Sequence, residues 1–205
     1  MKLKTIITVF TFFYAFSIKA QTIKPLENEK NLTHVHMNES NIYFKDINNI
    51  MDKYFGTWIY EDSTYYFKVT FVKKEQVRMI GNKEWYFDEL VCEYQLKING
   101  VEIYNTYGAN SNISNNLANH IVGHSIESSD KINLFYGEPP VQGCMRIRTG
   151  NLNLEFLANT SGTQPQLNWT VTSHNVESSP ITCDDGSELD NSDFLIPSNM
   201  ILIKE

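Results

Sequence analysis

After Gly56, apolar and polar residues alternate in run after run to the end of the chain. In residues 64–73, every second residue is large and apolar, and residues such as Lys68 and Thr70 lie between them. A period of two is typical of a β-strand with one face in the core and one in water, as in antiparallel sheets. Eight to ten such runs follow one another, so the sequence predicts an all-β domain.

Turn signals separate these runs. Asn99-Gly100 is the strongest kind of signal for a two-residue hairpin, and residues 149–151 and 161–162 are interpreted as further turns. Short connections favour a meander, and a meander of eight or more strands is best closed into a barrel because closure removes exposed edges. We therefore predict an antiparallel up-and-down β-barrel over residues 41–205, with a two-sheet β-sandwich as the alternative.

One stretch before this region has helical spacing and predicts a short N-terminal helix. Its apolar residues, spaced by three and four positions, are Phe44, Ile47, Ile50, Met51 and Tyr54. Ser40 or Asn41 could cap the helix. The preceding residues 21–40 are polar and aperiodic, and we interpret them as a tail.

Residues 1–20 have the layout of a secretory signal peptide. Lys2 and Lys4 give a positive start, residues 6–16 are apolar, and the small residue Ala20 suits cleavage. An apolar stretch of this length is too short to span a bilayer. We therefore predict a chain that is cleaved near Ala20, begins at Gln21, has no membrane span and is secreted or periplasmic.

The charge of the chain argues against two classes of partner. The full chain carries a net charge of −7. Removal of residues 1–20 takes away three lysines and no acidic residue, which moves the net charge to about −10. Phosphate backbones and anionic lipid surfaces would be repelled, and no basic stripe offsets the repulsion. Nucleic acids and membrane surfaces are therefore not expected partners.

The chain contains three cysteines, so at most one internal disulfide can form in an oxidising compartment. Cys92 alternates in step with the apolar residues of a predicted strand, which places it on a buried face. Cys144 and Cys183 lie beside polar, turn-rich sequence. We therefore predict that Cys144 and Cys183 form the disulfide.

The first predicted strand opens with the motif Gly56-Thr57-Trp58. A short helical entry followed by Gly-x-Trp resembles the start of lipocalin-like and avidin-like barrels. The resemblance implies that Trp58 packs across the closed end of the barrel and that Gly56 lets the chain bend sharply.

A second resemblance covers nearly the whole domain. Its motifs, in order, are Phe55-Gly56-Thr57-Trp58, residues 94–106 (YQLKINGVEIYNT), Leu167-Asn168-Trp169, and Phe194-Leu195-Ile196-Pro197 before a final apolar strand. Together they resemble an uncharacterised family of secreted proteins of Bacteroidota, a domain of unknown function, over residues 41–205. The resemblance implies a compact β domain and an exported protein, and it transfers neither an activity nor site residues.

Two clusters of metal-binding residue types do not form recognisable metal sites. His120 and His124 have the spacing of metal ligands on a helix. However, the position after the first histidine, where metalloproteases of this kind carry a glutamate, is Ile121, and Gly123 disfavours a helix. The acidic residues of the stretch 183–193 do not follow the spacing of a calcium loop. We predict no metal and no cofactor.

Catalytic motifs are also not recognisable. The serines lack the elbow motif of hydrolases, and none of the cysteines lies in a protease motif. A hydrolase that uses outward-facing carboxylates in a surface groove is a minor third hypothesis, because a pair of carboxylates is what glycoside hydrolysis needs. The carboxylates considered for such a pair are Glu61, Glu89, Glu93 and Glu155. We predict that the protein is not an enzyme.

Large aromatic residues fall on the predicted inward faces of the strands. An eight-stranded barrel either fills its interior with side chains or holds one small ligand. The first hypothesis is therefore a loosely lipocalin-like barrel that binds a small apolar ligand in its lumen. The alternative is a structural or interaction module that binds another protein through its surface loops at residues 108–125 and 176–192. The lumen residues predicted to contact a ligand are Trp58, Tyr65, Phe67, Phe71, Tyr94 and Trp169.

Overall fold

The structure is a computed structural model that describes residues 21–31, 41–79, 84–108, 121–138, 148–158, 164–173, 186 and 192–205. These ranges contain eleven β-strands and two short 3₁₀ helices, Leu26–Asn31 and Ile50–Tyr54. The strands are β1 (Thr22–Pro25), β2 (Ile42–Lys45), β3 (Gly56–Glu61), β4 (Tyr65–Arg78), β5 (Trp85–Ile98), β6 (Val101–Asn105), β7 (Ile121–Ser128), β8 (Lys131–Glu138), β9 (Arg148–Leu157), β10 (Gln166–Ser173) and β11 (Asn199–Lys204).

Eight of these strands form a closed antiparallel barrel. They follow the order β3-β4-β5-β7-β8-β9-β10-β11, and β11 pairs with β3. The pairing of β5 with β7 lets the barrel continue past β6, through Leu90–Gly123 and Val91–Val122. Apart from the excursion of β6, strands that follow one another in sequence are neighbours in the barrel. The prediction of an all-β, up-and-down barrel is therefore confirmed, and the sandwich alternative is not adopted.

The sheet branches at β5. One edge of this strand pairs with β4 along most of its length. The other edge is shared by β2 in parallel at residues 85–87, β7 at residues 90–91 and β6 at residues 95–98. The predicted Asn99-Gly100 turn joins β5 to β6, with φ values of 50° and 78° as a type I′ turn requires. β5 therefore anchors the N-terminal strands and a hairpin as well as the barrel.

The segment predicted to be a short helix begins as a strand. The first three residues of β2 are all buried, and only the later part of the segment turns, as the 3₁₀ helix Ile50–Tyr54. Asn49 has a φ of 53° and interrupts helical geometry, while Ile47 is 49% exposed. A strand buried on both faces shows no alternation of apolar and polar residues. The helical spacing of the apolar residues is therefore misleading in this segment.

Part of the stretch interpreted as a polar tail also contributes to the sheet. Within residues 21–31, β1 pairs in parallel with β2, and Leu26 of the first 3₁₀ helix is buried. Lys30 of this helix donates a hydrogen bond to the backbone carbonyl of Glu127 on β7 at 3.1 Å. A strand of four residues is too short to show a period, so the sequence gives no sign of this layer beside β7.

One end of the barrel is covered by Trp58 and the second 3₁₀ helix. Gly56 has a φ of 102°, a conformation that glycine adopts readily. Beyond this bend, Trp58 Nε1 donates a hydrogen bond to the backbone carbonyl of Tyr54 at 2.7 Å. The ring of Phe156 packs edge-on against the indole of Trp58 and the phenol ring of Tyr54. The helix and the indole are thus fixed to each other and to β9.

The opposite end is covered by the segment before β11, held by a buried ion pair. Glu138 accepts hydrogen bonds from the backbone N–H groups of Leu195 and Ile196, at 2.9 and 3.0 Å. Arg148 lies 2.6 Å from the same carboxylate and donates to the carbonyl of Asp193. Burial raises the pKa of Glu138, and these donors oppose the shift. We call these five residues the C-terminal latch.

Residues 149–151, interpreted as a turn, lie inside β9 instead. Gly150 approaches β10 so closely that a Cβ atom would lie 2.5 Å from the backbone oxygen of Thr172. Gly150 therefore marks a close approach of two strands, which is a common reason for a glycine within a sheet, and not a turn. Residues 161–162, the other interpreted turn, lie outside the described residues.

Arg148→Met tests the C-terminal latch. The substitution leaves the buried Glu138 carboxylate without its ion-pair partner, so we expect the free energy of unfolding to fall by about 3–5 kcal/mol in urea denaturation. Lys131→Met is the matched control, because it breaks the exposed ion pair with Glu155 and should cost less than about 1 kcal/mol. Equal losses in the two variants would contradict a special role for the latch.

Candidate functional site

Aromatic side chains fill the interior of the barrel. The ring centroid of Phe67 lies 5.1 Å from that of Trp169 and 5.9 Å from that of Tyr94. Tyr136 contacts Trp169 edge-on, with centroids 6.2 Å apart. All four side chains are fully buried. Rings of this size occupy the lumen of an eight-stranded barrel as a packed core.

The six residues predicted to face the lumen belong to this core or lie against it. Those with no exposed surface are Trp58, Phe67, Phe71, Tyr94 and Trp169. Tyr65 is half-buried and packs on the edge of the core. The structure brings these side chains together as packing partners. Trp169 Nε1 is buried without a hydrogen-bond partner, and one water molecule would satisfy it.

A groove of about 660 Å³ lies on the outer face of the barrel, over β7 to β10 and the adjoining part of β5. Most of its side chains alternate with the core residues of the same strands, so they point away from the lumen. We call this site the outer groove. Its polar residues are Glu89, His124, Ser125, Asn133, Asn151, Asn153 and Thr172.

A β-bulge in β7 shapes one wall of the outer groove. Gly123 and His124 together oppose the single residue Leu134 of β8. A bulge bends its strand and re-aims a side chain. A Cβ atom at Gly123 would lie 3.0 Å from Leu134 Cα and 3.2 Å from the backbone oxygen of Asn133. Glycine therefore allows the two strands to stay in contact through the bulge, which turns His124 towards the groove.

His124 and Glu89 form a partly buried pair at the edge of the outer groove. His124 Nδ1 lies 3.4 Å from Glu89 Oε1, and each side chain is 19% exposed. The imidazole stacks on Phe87, with ring centroids 4.2 Å apart and 21° between the planes. Phe87 is itself buried against Phe44 of β2. The N-terminal layer thus supports the histidine from behind and fixes its position beside the carboxylate.

Amide and hydroxyl side chains form a polar grid on the floor of the outer groove. Asn133 on β8 pairs with Asn153 on β9. In the next row, Phe135 on β8 pairs with Asn151 on β9, which pairs with Thr172 on β10. Directly paired residues in an antiparallel sheet lie about 5 Å apart. The grid therefore continues across three strands.

These asparagines are unfavourable for the stability of the barrel. Asparagine is depleted in strands, and Asn133 Oδ1 is buried without a hydrogen-bond partner, which costs free energy. In the sequence, Asn133 and Asn153 each stand between two core residues, as Ile-Asn-Leu at residues 132–134 and Leu-Asn-Leu at residues 152–154. That repeated pattern is the signal that could have pointed to the site. The register that places the asparagines side by side is not visible in the sequence.

The carboxylates considered for hydrolysis do not converge among the described residues. Glu89 lines the outer groove. Glu93 accepts a hydrogen bond from the backbone of Gly108, and Glu155 pairs with Lys131. Glycoside hydrolysis by a carboxylate pair needs two such groups about 5–10 Å apart across the substrate. The described lining of the groove supplies one.

The remaining predicted features fall on other parts of the chain. Cys92 is a buried free thiol, and burial raises its pKa. Cys144, Cys183 and His120 lie outside the described residues, as do most of the loop residues proposed to bind another protein. In the described part of the chain, no group of three or more His, Cys, Asp or Glu side chains could hold a metal ion. No helix in the same part is long and apolar enough to cross a membrane.

The strands and the site define a closed eight-stranded antiparallel β-barrel with an aromatic interior and a polar outer groove. The chain belongs to the family of unknown function DUF6705, whose model matches residues 1–205. The prediction of an uncharacterised family is thereby confirmed, whereas the Bacteroidota origin and export stay predictions. No curated protein and no solved structure matches the chain.

Asn133→Thr is expected to stabilise the fold. Threonine favours strands, and the substitution removes an unpaired amide oxygen, so we expect a gain of about 1 kcal/mol and a rise in Tm of about 2–4 °C. Asn105→Thr is the control: Asn105 Oδ1 accepts a hydrogen bond from the backbone of Tyr107, and its loss should lower Tm. Circular dichroism during heating measures both. A lower Tm for Asn133→Thr would mean that the amide supports the fold.

Proposed function

We propose that this protein is an exported, non-catalytic binding module whose ligand lies in the outer groove. The observation that carries the proposal is the contrast between the two faces of one sheet. The inner face is filled by rings such as Trp169 and Phe67, and the outer face has about 660 Å³ of open volume beside polar side chains. Small molecules bind in concave sites with a few fixed polar groups.

The rigidity of the strands supports the same function. Asn133 and Asn153 stand on central parts of β8 and β9, and each of these strands is paired on both sides within the barrel. Sites on strands are held more firmly than sites on loops. A preformed site also lowers the entropy lost on binding. The outer groove can therefore accept a ligand without rearrangement of the barrel.

Export is supported by the first twenty residues, with their positive start, apolar centre and terminal Ala20. The first strand begins at Thr22, immediately after the proposed cleavage site. N-terminal sequencing of the protein recovered from the periplasm or medium of its host should therefore give Gln21 as the first residue. Recovery of the protein only inside the cell, with Met1 or Lys2 first, would contradict export by a cleaved signal peptide.

The lack of catalysis is supported by the groove itself. Its described residues provide one carboxylate, Glu89, and one imidazole, His124. Ser125 follows His124 and lines the same groove, but among the described residues no hydrogen bond joins the imidazole or Glu89 to a serine, cysteine or threonine side chain, as activation of a nucleophile would need. The residues are therefore suited to hydrogen bonding.

The second candidate is an apolar small ligand in the lumen. The observation that favours a lumen site is Trp169 Nε1, a buried donor without a hydrogen-bond partner, which an acceptor group on an otherwise apolar ligand would satisfy. A ligand large enough to contact Phe67 and Tyr94 would have to displace one of these rings from its packed position. The outer groove requires no such displacement, and for that reason we place the lumen second.

The indole N–H group of Trp169, inside the barrel, distinguishes the outer groove from the lumen as the binding site. We expect the low-molecular-weight fraction of the host's growth medium to shift the NMR signals of Val122, Asn133 and Asn151 in the ¹⁵N-labelled protein. The indole signal of Trp169 should stay unchanged because the ligand remains outside. Shifts of Trp169 with unchanged signals on β8 and β9 would favour the lumen. Shifts confined to the exposed hairpin β5-β6 would favour a surface interaction module.

A further inference from the structure

We propose that the ligand of the outer groove is a neutral carbohydrate, bound through the amides of Asn151 and Asn153 and the carboxylate of Glu89. This inference rests on the proposed function and specifies the chemical class of the ligand. It follows from the hydrogen-bonding groups in the groove, their spacing, the aromatic ring among them and the charge around them.

The hydrogen-bonding groups in the outer groove match hydroxyl groups. A sugar hydroxyl donates one hydrogen bond and accepts others. Asn151 and Asn153 each offer an amide oxygen as acceptor and an NH₂ group as donor, Thr172 offers a hydroxyl, and Glu89 offers acceptors only. An apolar ligand would strip water from these groups and leave them unpaired, which costs free energy for each group. A ligand covered with hydroxyls replaces the lost water bonds.

The spacing of these groups suits a cyclic polyol. Asn151 and Asn153 stand two positions apart on β9 and point to the same side, about 6.6 Å from each other along the strand. Thr172 is the cross-strand partner of Asn151, about 5 Å away. Hydrogen-bonding groups at such separations can engage hydroxyls on different sides of one sugar ring, or on two adjoining rings.

Phe135 provides an apolar surface within this polar grid. It pairs with Asn151 across β8 and β9 and with Val122 across β7 and β8, and it lines the groove as a half-buried ring. The face of an aromatic ring is electron-rich. The ring face therefore attracts the C–H groups on the apolar face of a sugar. The hydroxyl groups at the edge of such a sugar would then lie near the asparagines.

Charge and topology argue against other classes of ligand. Glu89 lies in the groove of a chain with a net charge of −7, which disfavours phosphate and other anions. A single carboxylate among the described lining residues is too little for a cation that needs several oxygen ligands. Peptides commonly bind by adding a strand to a free sheet edge, whereas β8 and β9 have a neighbour on each side.

The test uses the full mature chain and a defined set of probes. A glycan array of neutral mono- and oligosaccharides identifies binders, and isothermal titration calorimetry with the best binder gives Kd. Asn153→Val and Asn151→Val should each weaken binding about tenfold or more while Tm stays the same or rises. Asn168→Val is the matched control, because Asn168 is an outward asparagine of β10 beyond the groove, paired with Glu155 and Ile201. It should leave Kd unchanged.

Three outcomes would overturn the inference, and they separate it from the proposed function. If no neutral sugar binds, while host medium shifts the NMR signals of the groove, the ligand class is wrong and the groove remains the site. If a peptide or an acidic glycan binds at the groove and neutral sugars do not, the proposed class of ligand is again wrong. If a sugar binds but shifts Trp169 instead of Asn151, both the carbohydrate site and the outer-groove function are wrong.

Discussion

The aromatic packing inside the barrel determines where the protein can present a site. Phe67, Tyr94 and Trp169 meet at centroid distances of 5.1 and 5.9 Å, and each such ring buries about 150–250 Å². Eight strands enclose an interior just wide enough to be filled by side chains. Because the rings take up this space, both ends of the barrel can be covered, by Trp58 at one and the C-terminal latch at the other. Among the described residues, the open volume beside polar side chains then lies on the outside of the sheet.

The outer groove arises where the barrel departs from regularity. A regular barrel is convex on the outside, but the bulge at Gly123 bends β7, and the N-terminal layer packs beside it. Phe87, covered by this layer, supports the imidazole of His124. The same contacts that attach β2 to β5 therefore form the back of the site. Asparagine disfavours strands, and its presence in the floor of the groove agrees with a general observation. Residues at binding sites often lower the stability of a protein below what other residues would give.

Much of the fold could be predicted from the sequence, because alternation and hairpin signals are local. The inward positions of Phe67 and Trp169 follow from a period of two, and Asn99-Gly100 marks its turn directly. β2 could not be predicted, since a strand buried on both faces has no alternation. The site could not be predicted either. Glu89, His124 and Asn133 are brought together by a bulge and by strand register, which depend on contacts between distant parts of the chain.

The first strand of the barrel is held on one side by the last. β3 begins at residue 56, and its partner β11 ends at residue 204. The pairing of Trp58 with Lys204 therefore joins two positions that are far apart in the chain. During synthesis β3 is made early, and β11 is the last of the barrel strands to be made. Until then β3 and β10 each keep an open edge, which is where chains pair wrongly with one another. Pairing of β11 with both β3 and β10 therefore removes these open edges and closes the barrel.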